Sequence, residues 1–224
     1  MKNQRNLFAQ LKHACREDWR EYCEHEFVNK LGDGSLEPAC FRHYLMQDYL
    51  FLMHFARAHA LLVYKSETLA EMTHAAGVLN VLLAGEMSLH VDFCQSWGLS
   101  RTDIEAVEEQ PANMAYTRYV LERGLAGDCL DLLVALLPCT VGYAEIGSRL
   151  SAQYSKSLAS NPYRKWIESY STEAYQASSL EAIAALDRLA LRASEERFES
   201  LCKTFRQATR LEVGFWDMGL NPPA

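Results

Sequence analysis

The run FRHYLMQDYLFLMHF, residues 41–55, places Phe41, Tyr44, Leu45, Phe51, Leu52 and Phe55 at separations of three, four and seven. That spacing puts all six side chains on one face of an α-helix. The same period returns near the C-terminus, in Leu180, Ile183, Ala184, Asp187 and Leu191. Strand signals are nearly absent: no Asn-Gly pair occurs and no sustained two-residue alternation appears. The sequence therefore predicts an all-α protein, a single-domain helical bundle over residues 1–224, with about seven to nine helices.

Punctuation read outward from residues 41–55 supports this. A first helical segment is expected over 6–30, ending at Gly32-Asp33-Gly34. Ser35 is placed to cap the next helix, with Pro38 in its first turn. Ser66 is placed to cap a third helix that stops at Gly98. Thr102 and Glu105 have capping-box spacing. A break at Glu109-Gln110-Pro111 precedes a further helix over about 112–124, and Gly127-Asp128 opens a long one to about Leu158. Asn161-Pro162 reads as a cap followed by a first-turn proline, and helices over about 172–192 and 195–218 complete the chain.

Composition narrows the function classes. The chain has 224 residues, 49% hydrophobic and 23% charged, and is of ordinary globular character. A net charge of −7 without a Lys/Arg block opposes nucleic-acid binding. The longest uncharged apolar stretch, Leu132 to Ala144, is 13 residues, too short to cross a membrane. No signal peptide is read at the N-terminus. Seven scattered cysteines without a CxxC pair predict thiols in a reducing cytoplasm rather than disulfides or a zinc site.

The informative residues are polar groups on apolar faces. Asp48 projects from the same face as Tyr44, Leu45, Phe51 and Leu52, where an unpaired carboxylate is costly. It is either a structural group satisfied by a helix end or an arginine, or a functional one. Glu212 lies inside the stripe Leu201, Phe205, Ala208, Phe215, Trp216 and Gly219. It is either a buried carboxyl bonded to a tyrosine or the backbone, or a general acid with a raised pKa. Cys139 follows Pro138 and precedes Gly142 and Tyr143. A proline within a helical run frees a carbonyl one turn earlier, and the glycine removes a side chain, which together predict a small polar niche. Cys139 itself is either a small buried hydrophobe or a functional group in that niche.

Other clusters carry less. All seven histidines lie in the first 90 residues, and only Glu71-x-x-His74 has the spacing of a carboxylate-bridged di-metal helix, which needs two such helices. Glu86 and His90 are four apart and able to pair. Tyr116, Tyr143 and Tyr170 are candidates to line a pocket with ring faces and hydroxyls.

Read together, several motifs resemble the TenA, or thiaminase II, family. They are residues 27–36 (FVNKLGDGSL), Phe41-x-x-Tyr44-x-x-Gln47-Asp48-Tyr49, His54-Phe55-Ala56, Glu86-Met87-x-Leu89-His90, Leu136-Leu137-Pro138-Cys139, Tyr163-x-Lys165-Trp166-Ile167-x-x-Tyr170 and Glu212-x-x-Phe215-Trp216. Order and spacing agree from about Cys15 to Gly219. The resemblance implies a haem-oxygenase-like fold and a hydrolase of thiamin salvage. Such an enzyme converts an aminomethyl-pyrimidine to the hydroxymethyl pyrimidine, and some members also cleave thiamin. It assigns Cys139 as nucleophile and Glu212 as proton donor. Asp48 becomes the carboxylate that holds the pyrimidine, and Tyr143, Tyr170 and Tyr116 line the pocket. It further implies a homotetramer and no metal or other cofactor. Two positions depart from the pattern. Phe51 stands where a tyrosine supports the nucleophile in related proteins, and Ser171-Thr172 replaces a Gly-Gly pair after Tyr170. The rival readings are a haem enzyme using His25, a di-metal oxidase, and a non-catalytic pyrimidine-binding or regulatory protein.

Overall fold

The computed structural model describes residues 6–223. In chain order its α-helices are α1 (Leu7–Ala14), α2 (Arg16–Cys23), α3 (Glu26–Asp33), α4 (Pro38–Lys65), α5 (Leu69–Val81), α6 (Met87–Ser96), α7 (Arg101–Glu105), α8 (Pro111–Ala126), α9 (Cys129–Gln153), α10 (Arg164–Ser171), α11 (Glu173–Ala190) and α12 (Phe198–Leu220). A π-helical turn, Leu82–Glu86, joins α5 to α6, and no strand occurs among the described residues. The all-α expectation holds.

Contacts divide the chain into two compact units, residues up to 36 with 133–216, and residues 37–132 with 217 onward. In the first unit α1, α2, α3, α10 and α11 accompany most of α9 and α12. Its core is aromatic: the Trp19 and Phe205 rings stack at 5.5 Å, and Phe8 meets both edge-on. In the second unit α5, α6, α7 and α8 pack along the 28-residue α4. The buried side chains there include Tyr44, Leu45, Leu52, Cys94, Ile104 and Tyr116. Among the described residues α9 is the one helix long and apolar enough to cross a membrane, with mean hydropathy 1.6. Its most apolar window is 78% buried within the protein, the signature of a core helix.

Helix existence was legible in the sequence, but several boundaries were not. The segment expected as one helix over 6–30 is three. It breaks at Cys15 and Glu24, and α3 restarts because the His25 Nδ1 accepts the Phe27 amide at 3.2 Å. Ser35 does not cap α4: its own amide is held by Asp33 Oδ1 at 2.8 Å, and α4 begins at Pro38. Ser66 ends α4 instead of opening α5, donating its hydroxyl to the Leu62 carbonyl, while Thr68 and Glu71 form the capping box. That box uses the Glu71 side chain considered above for a di-metal helix. Ser100 and Asp103, not Thr102 and Glu105, cap α7. Asn161 caps a helix other than its own. Its amide donates to the Leu31 and Gly32 carbonyls at 3.1 and 2.9 Å, closing the C-terminal end of α3. The long helix expected to run to Leu158 ends at Gln153.

Candidate active site

The predicted site residues fall into two groups, one in each unit. In the second unit Asp48 sits midway along α4, buried at 3% exposure. One turn earlier, the Tyr44 hydroxyl donates to Asp48 Oδ2 at 3.0 Å. His90 on α6, fully buried, places Nε2 2.6 Å from the same oxygen. Its Nδ1 lies 2.8 Å from the Glu86 backbone carbonyl. A carbonyl only accepts, so Nδ1 carries a hydrogen and Nε2 is the nitrogen that faces the carboxylate. Burial alone would lower the His90 pKa; the charge and hydrogen bond of Asp48 outweigh it and hold the imidazole above its ordinary value. Burial pushes the half-buried Glu86 carboxyl up to about 7, against the opposing pull of His90.

The local folding explains this arrangement. The π-helical turn Leu82–Glu86 inserts one residue ahead of α6, and the Met87 amide bonds back to the Leu82 carbonyl, five residues away. Such turns rotate the following helix relative to the preceding one. In that phase Met87, His90 and Cys94 are the buried residues of α6.

Phe51 and Tyr116 also meet in the second unit. Their ring centroids are 5.0 Å apart, and Phe55 stacks on Phe51 at 5.3 Å. A buried amide pair fixes α8, which carries Tyr116, against α4. Asn113 donates to the Gln47 carbonyl at 2.8 Å, and the Gln47 side chain bonds both the Gln110 amide and the Glu108 carbonyl. Every polar atom of the Gln47 side chain is thus engaged with α8 or the segment leading into it, which helps set the height of Tyr116 along α4.

The first unit gathers Cys139, Glu212, Tyr143 and Tyr170. Cys139 is buried on α9, which runs unbroken through Pro138. The niche expected beside it exists, and Tyr22 of α2 fills it. A Cβ on Gly142 would overlap the Tyr22 ring and lie 2.6 Å from its hydroxyl oxygen. That hydroxyl donates to the Pro138 carbonyl at 3.2 Å. Tyr143, one turn beyond Cys139, packs its ring 5.0 Å from Tyr170 and 5.4 Å from Trp216. Gly147 lets α10 approach closely enough for this: a Cβ there would stand 2.8 Å from the Tyr170 backbone carbon. Glu212 is 1% exposed on α12. Trp216, one turn on, lies parallel to Phe27 at 5.0 Å and to Tyr22 at 6.1 Å. Trp216 and its ring partners therefore connect the helix of the carboxyl with the helix of the thiol.

None of the seven cysteines forms a disulfide. Burial holds four of them away from the thiolate form. The Cys15 thiol is pushed up to about 12 and Cys94 to about 11, and Cys23 and Cys129 are raised for the same reason. Among the described residues no cluster of three or more His, Cys, Asp or Glu side chains is placed to hold a metal ion.

Sequence reasoning named Asp48, Glu212 and Cys139 but missed His90 as the partner of Asp48, and Tyr22 as the ring beside Cys139. The Glu86–His90 spacing was visible, but the bond runs to the Glu86 backbone, not its side chain.

The model of the TENA/THI-4/PQQC family matches residues 12–222. This chain belongs to that family. It is 36% identical over 214 residues to the aminopyrimidine aminohydrolase of Halalkalibacterium halodurans, covering 95% of each protein. A solved structure from Silicibacter sp. TM1040, described as a TenA family transcription regulator, superposes with a TM-score of 0.90. It is 46% identical and covers 96% of this chain and 97% of its own. A Shewanella denitrificans domain of unknown function, described as having a heme oxygenase-like fold, matches with a TM-score of 0.73 at 15% identity. It covers 95% of this chain and 91% of its own. At that identity the likeness is one of fold alone, and it agrees with the haem-oxygenase-like expectation.

Proposed function

We propose that this TenA-family chain hydrolyses an aminomethyl-pyrimidine to the hydroxymethyl pyrimidine, with Cys139 as nucleophile, Glu212 as proton donor and Asp48 as the group that holds the ring. The observation that carries the reading is the match to an aminopyrimidine aminohydrolase along 95% of both proteins. The buried, oriented Asp48 carboxylate adds to it, since an aminopyrimidine offers an N–H to a carboxylate oxygen.

The chemistry suits these groups. The Cys139 thiolate adds to the electron-poor ring, forming a carbon–sulfur bond and weakening the bond from the exocyclic methylene to nitrogen. Glu212 gives its proton to the departing amine. Water then adds at the methylene, a proton returns to Glu212, and the carbon–sulfur bond breaks to restore ring and thiolate. The sum is amine plus water to alcohol plus ammonia. Tyr143, Tyr170, Tyr116 and Phe51 supply ring faces for the pyrimidine. Thiamin, with a thiazolium leaving group, is a second candidate substrate of the same chemistry.

The test is a product assay with aminomethyl-pyrimidine and thiamin side by side. Turnover of the aminomethyl-pyrimidine that disappears in Cys139→Ser supports the reading, and no turnover of either compound by the native chain overturns it. The description of the Silicibacter relative favours a second reading, a regulator that binds DNA. The net charge of −7 works against phosphate contacts, and a salt-dependent DNA-binding titration decides it. We also propose a homotetramer: Tyr64, Leu69, Val81, Leu83 and Leu125 are large apolar side chains left exposed on the second unit. Light scattering at micromolar concentration measures the mass directly.

A further inference from the structure

The seam between the α1–α2 junction and α12 brings two thiols together, both within the first unit. Cys15 ends α1 and precedes α2, with φ −113° and ψ 25°, so it stands on a joint between helices and not inside one. Its Sγ lies 3.5 Å from Sγ of Cys202 on α12 and 3.8 Å from the Cys202 carbonyl oxygen. The two residues are 187 positions apart in the chain. Neighbouring contacts hold them in register. Arg206, one turn beyond Cys202, donates from Nη2 to the Ala14 carbonyl at 3.4 Å and reaches Cys202 Sγ at 3.9 Å. Its Nε lies 3.5 Å from Asp18, which also accepts from Arg210 Nε at 2.7 Å. Trp19 of α2 stacks on Phe205 of α12 at 5.5 Å. Ion pairs and stacked rings thus fix the seam around the sulfurs. A disulfide bond is about 2.05 Å long, so about 1.5 Å remains to close, and the joint at Cys15 is where the backbone is free of helical constraint.

We propose that Cys15 and Cys202 form a thiol-oxidation site, which a small-molecule disulfide converts to a cystine that staples the α1–α2 junction to α12. Neither thiol belongs to the proposed reaction at Cys139. Cys202, 8% exposed against 1% for Cys15, is the sulfur that the reagent reaches first. It bonds to one sulfur of the reagent, the reagent's sulfur–sulfur bond breaks, and the other half leaves as a thiol with the Cys202 proton. Cys15 Sγ then bonds to Cys202 Sγ and displaces the second half, which leaves as a thiol with the Cys15 proton. Two protein thiols are oxidised, and one reagent disulfide is reduced to two thiols. Burial, with the neighbouring Cys202 thiol, pushes Cys15 up to about 12. A thiol held in that way attacks a reagent in solution poorly. It suits the second step, which is intramolecular and draws on contact already made. A link across 187 positions restricts the unfolded chain far more than the folded one, so the staple stabilises the fold.

The experiment incubates the full-length protein with excess oxidised glutathione near pH 8. The reaction is quenched in acid, free thiols are blocked with a maleimide in denaturant, and the chain is digested without reduction for mass spectrometry. The expected product is a peptide pair joining Cys15 to Cys202 within one chain, with the intact mass lower by two hydrogens. Cys15→Ser and Cys202→Ser each lose that pair. The oxidised native protein should melt at least about 5 °C higher than the reduced one. Dithiothreitol should reverse the gain, and Cys202→Ser given the same treatment should show none. Complete blocking of both thiols after the incubation overturns the inference. So does glutathione that stays on Cys202 as an unclosed mixed disulfide, or a bridge that joins either thiol to another cysteine or another chain. A bridge between Cys15 and Cys202 that leaves the melting temperature unchanged or lower overturns the staple. If Cys202→Ser does not fold, Cys15→Ser serves as the control in its place.

Discussion

Two regions of the molecule hold their polar groups with a different balance of bonds and packing. Around Asp48 position comes from directed bonds: Tyr44 and His90 on one carboxylate oxygen, and Gln47 and Asn113 locking α8 to α4. Around Cys139 ring packing accompanies a directed bond from the Tyr22 hydroxyl to the Pro138 carbonyl. Tyr22, Trp216, Tyr143 and Tyr170 pack ring against ring, and glycines at 142 and 147 clear the space. Directed bonds are sensitive to changes of charge at constant volume, whereas packed rings are sensitive to changes of volume at constant charge. The two regions should therefore fail under different substitutions.

The largest expected effect is on chemistry. Cys139→Ser changes almost no volume in the ring-packed region, so its melting temperature should stay within a few degrees of the native value. Turnover of aminomethyl-pyrimidine should nevertheless fall by roughly three orders of magnitude or more, as for removal of other enzymic nucleophiles. A variant that keeps a substantial fraction of native turnover removes Cys139 from the mechanism. In the bonded region Asp48→Ala should abolish pyrimidine binding measured by calorimetry, and an unchanged affinity would remove Asp48 from it.

Next in size is the stability of the bonded region. His90→Leu conserves bulk but strands a buried carboxylate, and breaking a buried pair in this way costs about 3–5 kcal/mol. The double variant Asp48→Asn/His90→Leu should recover part of that loss in urea denaturation, because no uncompensated charge remains. Equal stability of the single and double variants would mean that the pair is held by packing, as the other region is. There, Gly142→Ala drives a methyl group into the Tyr22 ring. It should cost about 1–3 kcal/mol as an overpacked core, and should cost less in a Tyr22→Ala background. Additive effects in that cycle would show that Tyr22 does not occupy the space above Gly142.

The same contrast explains what the sequence could disclose. Asp48 and Glu212 were legible because each interrupts an apolar helix face, and periodicity detects such interruptions within a few turns. Cys139 stood out as a candidate only through its company, since a small thiol on a buried face has no local signature. Tyr22 was not legible: the glycine whose space it fills lies 120 positions along the chain, and an aromatic residue on a short amphipathic helix looks like any other core ring. His90 was half legible. Its spacing from Glu86 was visible, but its partner Asp48 is 42 positions away. The π-helical turn that orients it leaves no compositional mark. The all-α class survived the misplaced caps because it rests on periodicity, and caps shift by a few residues whenever a nearby side chain competes for the same amide.

The smallest expected effect isolates the electrostatics of the bonded region from its packing. Glu86 has its pKa raised from an ordinary 4.5 to about 7, chiefly by burial. The folded state thus binds its proton more tightly than the unfolded chain does. The stability this confers is fully present below pH 4.5 and is lost as pH rises through about 7. A shift of that size corresponds to at most about 3 kcal/mol, and for a half-buried carboxyl solvent screening reduces it to about 1 kcal/mol. Glu86→Gln removes the titration with little change of volume. Its stability should match the native protein near pH 4 and exceed it near pH 8.5, when both are followed by urea denaturation across that range. Parallel stability curves would mean that the carboxyl is solvated in both states. His90 and Asp48 are unchanged in this variant, so the contribution of His90, whose pKa is also raised and whose stabilisation is likewise lost as pH rises, stays in both curves and cancels in the comparison.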